Sequence, residues 1–341
     1  MAVYTAIDDA GSFFNVNLYT GTGGSQALTG VGFSPALCWF KCRDNTEWNT
    51  VFDTRRGVNE AIYTNSSNAE TTRTSDLMSF DSDGYTLGGD GDTNASGDDY
   101  VGWSWKAGTT SGLTGGTITP SSYSINTTNG LGMYQYTGTG SAGTIAHGLG
   151  VAPDMIFVKR TDGTANWQVQ HTSLDADKVL YLNTNHAEQN EIMFNDTYPT
   201  STVFSLGTPS ESNGSGNVYM AYCFAPVKGY SNFGSYTGNG NADGAFVYTG
   251  FRPAFVMIKR SDSSGDWYIY DDKRLGYNMD NNELYANTTN AEQTDDRIDL
   301  LSNGFKLRND GSGVNASSGD YTYTAFAESP FVNSSGVPTN A

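Results

Sequence analysis

Cysteine, histidine and positive charge are all scarce in this chain of 341 residues. Its three thiols, Cys38, Cys42 and Cys223, are too few and of the wrong parity for a disulfide framework. Cys38 and Cys42 lie four residues apart in an extended segment, about 13 Å, which rules out a bridge or a shared metal. They read as buried free thiols. The three histidines, His147, His171 and His186, show no paired ligand spacing, so a zinc site is not expected. Lys and Arg total 18 against 36 Asp and Glu, a net charge of −18. No basic stripe exists to displace counterions from a nucleic acid or to hold an anionic membrane surface. No apolar run approaches the about 18 residues of a membrane span, so membrane insertion is not expected. The first ten residues have neither the basic nor the apolar region of a signal peptide.

What the chain has instead is aromatic and small residues: 21 Tyr, 17 Phe, 6 Trp and 41 Gly. Disordered chains lack such aromatic content, so packed cores are expected. The sequence also repeats itself. Tyr19-Thr-Gly-Thr-Gly23 recurs as Tyr136-Thr-Gly-Thr-Gly140 and Tyr236-Thr-Gly-Asn-Gly240. Gly-x-x-Pro follows each time, at Pro35, Pro153 and Pro253, and leads into an apolar run ending at Lys41, Lys159 or Lys259. Trp48, Trp167 and Trp267 come next, then Glu70, Glu188 and Glu292, and each repeat closes on an aromatic segment beginning at Tyr100, Val218 or Tyr321.

The apolar runs are short, rich in β-branched and aromatic residues, and bounded by Gly, Asn, Asp and Ser. The fold class expected is all-β, with three tandem homologous β-sandwich domains, jelly-roll-like and of about 100 residues each. The boundaries read as 1–107 for the first repeat, 108–129 for a Gly/Thr/Ser-rich linker, 130–229 and 230–331 for the second and third repeats, and 332–341 for a polar, loosely held tail. Residues 228–232 read as a short rigid hinge. The best helical candidate is Ala291 to Leu301.

Chemistry is harder to find. Asp90, Asp92 and Asn94 place oxygens at alternate positions, a pattern that suits a structural calcium ion, although Ala95 and Val101 break the EF-hand loop. A solvated hairpin loop is the plainer reading. No nucleophile elbow and no recurring acid pair is present, so no catalytic residue is assigned and no cofactor beyond that calcium is expected. The recurring Glu reads as a strand-end hydrogen-bond partner. The recurring Lys, with Arg43, Arg160 or Arg260 nearby, reads as a strand-end charge guarding a sheet edge rather than a nucleic-acid contact. Trp48, Trp167 and Trp267 are candidate sugar-stacking platforms, with burial in the core as the plainer alternative.

Tyr222-Cys-Phe-Ala-Pro-Val-Lys-Gly-Tyr-Ser-Asn-Phe-Gly-Ser-Tyr-Thr-Gly-Asn-Gly240 and Phe246-Val-Tyr-Thr-Gly-Phe-Arg-Pro-Ala-Phe-Val-Met-Ile-Lys-Arg260 resemble a family of structural proteins of tailed phages, frequent in phages of marine bacteria and cyanobacteria. The family has tandem lectin- or laminin-G-like sandwiches, and the resemblance covers nearly the whole chain. It implies a virion location and a tail-fibre or spike module that recognises a host-surface glycan. The alternative it leaves is a capsid decoration, head fibre or tail-associated protein. Other virion proteins would be the partners, and a homo-oligomer, a trimer for a fibre, is the family-level expectation. It carries over no catalytic residue, so no enzyme is expected. Residues 1–17 are the one segment that reads as an attachment region.

Overall fold

In the computed structural model, residues 4–106, 108–274 and 282–339 are described. They form a nearly all-β molecule of multiple antiparallel sheets. Each repeat contributes one large sheet. The first runs, in spatial order, Phe14–Thr20, Asp99–Trp105, Leu37–Cys42, Thr50–Asp53, Gly57–Tyr63 and Thr71–Thr72. The second repeats that order from Leu131–Thr137 and Val218–Phe224 through Met155–Arg160 and Gln168–His171, and the third from Ser231–Thr237 and Asp320–Pro330 through Phe251–Arg260 and Trp267–Asp271. A small sheet of two or three strands belongs to each repeat, such as Gln26–Thr29 with Gly84–Leu87 and Leu77–Asp81.

Side chains alternate across a strand, so each large sheet has two faces to bury. In Leu37–Cys42 every residue is buried. Cys38, Phe40 and Cys42 join Tyr85 and Leu87 of the small sheet in a core private to the first unit. Leu37 and Trp39 face the other way, into a second core built by all three units. Phe14, Trp105, Phe224, Phe255 and Phe326 meet there with ring centroids 4.9–6.3 Å apart. Two-sided burial is why the central strands read as unbroken apolar runs. A cavity of about 40 Å³, lined by residues from all three units including Trp39, Phe157 and Met257, lies within this shared core.

The recurring Tyr-Thr-Gly-x-Gly segment has a local cause. Tyr19, Tyr136 and Tyr236 stack on Tyr100, Tyr219 and Tyr321 at 5.0–5.3 Å. The turn that follows is held by Asn94, Asn213 or Asn315, whose Oδ1 accepts from the backbone N–H of Thr22, Thr139 or Asn239. Gly21, Gly138 and Gly238 run so close to the opposing loop that a Cβ would come within 2.1–2.3 Å of a carbonyl oxygen. Only glycine fits.

Several sequence expectations change here. The linker 108–129 contains the strand Ser122–Asn126, paired to Leu131–Thr137, and Thr109 and Gly116 make bridges to Ile125 and Ile145. The hinge 228–232 already enters the strand Ser231–Thr237. Ala291 to Leu301 is not helical; Ile298–Leu301 is a strand of a tight hairpin with Gly304–Leu307, because Ile298 and Leu300 both turn into the core. The C-terminal tail is tied down, with Ser334 N–H donating to Asp8 Oδ1 at 2.6 Å and Val332 bridging to Pro338. Residues 4–17 are no free attachment arm either: Ile7 and Ala10 are in the shared core and Phe14–Thr20 pairs along its length with Asp99–Trp105.

Candidate functional site

The recurring polar residues join one unit to the next. Trp167 N–H donates to Asn183 Oδ1 at 2.9 Å, and Trp267 N–H to Asn287 Oδ1 at 2.8 Å. In the first unit the same bond runs from Asn49 N–H to Asn65 Oδ1 at 3.0 Å, so the structural counterpart of the two tryptophans is Asn49 and not Trp48. Trp167 Nε1 donates to Tyr63 O of unit one at 2.8 Å, and Trp267 Nε1 to Tyr181 O of unit two at 3.0 Å. Asn49 Nδ2 donates to Tyr285 O of unit three at 2.7 Å. Each unit thus makes the same contact to the one before it, and the third link returns to the start. Equivalent head-to-tail contacts that close after three members describe a ring of pseudo-threefold symmetry.

The lysines follow the same circuit. Lys41, Lys159 and Lys259 are at most 1% exposed. Each donates to a carbonyl in its own unit, Glu47, Ala165 or Gly265, and to one in the preceding unit, Thr289, Ser67 or Asn185. Burial lowers their pKa to about 8, about 7 and about 8. They staple units together and guard no edge, which corrects the sequence expectation. Trp167 and Trp267 are 2% exposed and offer no face to a sugar; Trp48, 37% exposed, leans on Tyr63 at 5.1 Å.

The glutamates sit on the opposite side of each junction. Glu70 N–H donates to Thr161 O, Glu188 N–H to Ser261 O, and Glu292 N–H to Arg43 O. Glu70 holds Arg56 Nη1 at 3.0 Å. Glu292 holds Arg274 Nη1 at 3.1 Å and Arg43 Nε at 2.8 Å. Burial alone would raise the Glu292 pKa, but these arginines pull it down to about 2. Glu188 has no arginine partner among the described residues; burial raises its pKa, while the charge of Lys178 works the other way. It lines a cleft of about 420 Å³ at the junction of the second and third units, with Asp175, Asp320, Leu174 and Tyr236.

The acidic loop is organised differently from the pattern read in sequence. Asn94 is spent on structure: its Nδ2 donates to Gly24 O and Gly88 O, as Asn213 and Asn315 do in their units. Its Oδ1, the atom a calcium ion would bind, accepts from Thr22 N–H at 2.9 Å. Asp90 caps the short helix Gly91–Asn94. Asp76, which sequence reasoning missed, joins Asp90 and Asp92 with carboxylate oxygens within 4.8 Å of one another. Arg73 already occupies the centre, its Nη2 at 2.5 Å from Asp90 and 3.2 Å from Asp92, and its Nε at 3.2 Å from Asp76. Burial and mutual repulsion raise Asp76 to about 7 and Asp92 to about 6. The three carboxylates could hold a hard cation only if Arg73 withdrew.

A second cleft, of about 360 Å³, lies where the N-terminal segment meets the third unit. Tyr4 and Tyr248, 50% and 61% exposed, line it with Ser231, Asn232 and Thr249. Lys228 Nζ stands 5.9 Å above the Tyr4 ring. Exposed aromatic faces beside amide and hydroxyl groups can stack on and hydrogen-bond a polyhydroxylated ligand. The spacing of these residues in sequence gave no sign of the cleft, because Tyr4 and Tyr248 belong to different repeats and have no counterparts.

These features define a class: a single-chain, all-β ring of three homologous units around one core. The chain belongs to the family described as Domain of unknown function (DUF7483), whose model matches residues 9–330 and therefore takes in all three units together. No curated protein and no protein of solved structure matches it.

Proposed function

We propose that this chain is a structural protein of a phage virion, a tail-fibre or spike module that recognises a host-surface glycan. The reading rests on the resemblance of its repeats to tailed-phage structural proteins. The observation that carries the recognition role is the cleft of Tyr4, on the N-terminal segment, and Tyr248, on a strand of the third unit, two exposed rings beside polar side chains. Loops and edges can vary there while the shared core stays fixed. In this reading the chain is not an enzyme, and its partners are the glycan and neighbouring virion proteins.

A capsid decoration or head fibre is the second reading, favoured by the compact pseudo-threefold ring, whose symmetry suits a threefold position on a shell. Antibody labelling of purified particles under the electron microscope separates the two. Label at the distal tail is expected, and label on the capsid would replace the first reading by the second. With tail placement, Tyr248→Ala should lose glycan binding on an array of host-surface polysaccharides while the fold is retained. Undiminished binding would move the recognition site elsewhere.

A further inference from the structure

The three junctions are built from equivalent residues, so each serves as a reference for the others. In the first unit Arg56 Nε lies 2.6 Å from Asp53, its Nη2 donates to Val51 O at 3.0 Å, and its Nη1 meets Glu70 at 3.0 Å. In the third unit Arg274 repeats this, with Nε 2.8 Å from Asp271, Nη2 donating to Ile269 O at 2.9 Å, and Nη1 3.1 Å from Glu292. In the second unit His171 replaces the aspartate and Leu174 the arginine. One bond of the turn is kept: Ser173 N–H donates to His171 Nδ1 just as Arg55 and Lys273 N–H donate to Asp53 and Asp271. Arg43, which reinforces the junction of the third and first units, is matched by Ser261 at the junction of the second and third.

Glu188 therefore keeps the place and backbone anchor of Glu70 and Glu292, but the guanidinium that each of those holds is replaced by an open cleft of about 420 Å³. We propose that this cleft binds an external guanidinium group, with Glu188 as its carboxylate partner. Leu174 lines the approach and suits the alkyl stem of an arginine-like ligand, with Ser235, Thr237 and Ser261 beside it. Asp175 and Asp320 add negative charge at the rim. A divalent cation fits less well, since it needs six to eight converging oxygens and the rim aspartates are solvent-facing. The inference is independent of the virion reading.

The test is calorimetric titration of the full chain at low salt with methylguanidinium, with the capped tripeptide Gly-Arg-Gly, and with calcium chloride. Saturable one-to-one binding of methylguanidinium is expected, weakened about tenfold or more by Glu188→Gln. Leu174→Arg should abolish it by supplying the guanidinium internally. Tighter binding of the tripeptide would point to an arginine of a partner protein, and equal binding to a small free ligand. No saturable binding of either guanidinium probe, or binding of calcium in its place, would overturn the proposal. So would undiminished binding in Glu188→Gln, a part-exposed position whose replacement leaves the fold testable even where Leu174→Arg does not fold.

Discussion

The junction between the third and first units and the junction between the second and third are built on one plan and finished differently. At the first of these, Glu292 is gripped by Arg274 and Arg43 and its charge is neutralised inside the interface. At the other, Glu188 lines an open cleft, while His171 and Leu174 stand where an aspartate and an arginine would be. His171 Nε2 instead meets Tyr323 O of the third unit at 3.2 Å. Since Nδ1 accepts from Ser173 N–H, Nε2 carries the proton and the ring is neutral. The lesson is that the ring does not depend on the charged set. What all three junctions keep is backbone pairing, the buried lysine and the shared aromatic core.

That comparison can be pressed experimentally. Arg274→Leu copies the second unit onto the third while leaving Asp271 and Glu292 buried. It should cost about 3–5 kcal/mol in urea unfolding, because an uncompensated buried charge is far costlier than an absent pair. A loss below about 1 kcal/mol would mean that the third junction tolerates the change as the second already does.

The second difference is pH. Burial lowers the His171 pKa from 6.5 to about 4. Both folded and unfolded chains have a neutral ring above the ordinary value, so the contribution is complete there. As pH falls from about 6.5 through about 4, the unfolded chain takes up a proton that the folded one refuses, and stability declines by up to about 3 kcal/mol. His171→Gln should flatten that decline in denaturation midpoints measured across the range. An unchanged slope would assign the acid sensitivity to other groups.

Smaller effects follow at the first junction. Asn49→Ala removes donors to Tyr285 O, Ala286 O and Thr288 O and should cost about 1–3 kcal/mol. Trp48→Ala, one residue away, should cost less than that, since Trp48 donates to no carbonyl of another unit among the described residues. The reverse order would restore Trp48 as the counterpart of Trp167. Smallest of all, Glu188→Gln should shift stability by no more than about 0.5 kcal/mol, as for an ordinary surface change, even as it weakens guanidinium binding.

Much of the fold was legible because the repeats carry it. Tyr-Thr-Gly-x-Gly, Gly-x-x-Pro and the apolar runs mark strands and turns whose causes are local, so all-β sandwich units could be read directly. The ring could not. Its links end on backbone carbonyls such as Tyr63 O, Tyr181 O and Tyr285 O, and an acceptor that every residue possesses leaves no mark in a sequence. For the same reason a buried lysine held by carbonyls looked like a surface charge. Side-chain identity misled at Trp48, where matching tryptophan to tryptophan was off by one residue. The acidic site was half legible: Asp90 and Asp92 stand close in sequence, but Asp76 and Arg73 reach them only through the hairpin. The Asn94, Asn213 and Asn315 clasp was available in Asn94-Ala-Ser-Gly-Asp98 and its two counterparts, six residues before each strand tyrosine.

Three units that share one core should unfold as one cooperative ring. The direct measurement is urea unfolding of residues 108–229 alone, followed by near-ultraviolet circular dichroism. Cut from the ring, this unit would expose Met133, Phe157, Tyr222 and Phe224, which the full chain buries in the shared core. With a shared core, the fragment should show no cooperative transition and no fixed aromatic signal, against a single transition for the whole chain. A sharp two-state transition in the isolated unit would contradict it and make the molecule three domains in contact.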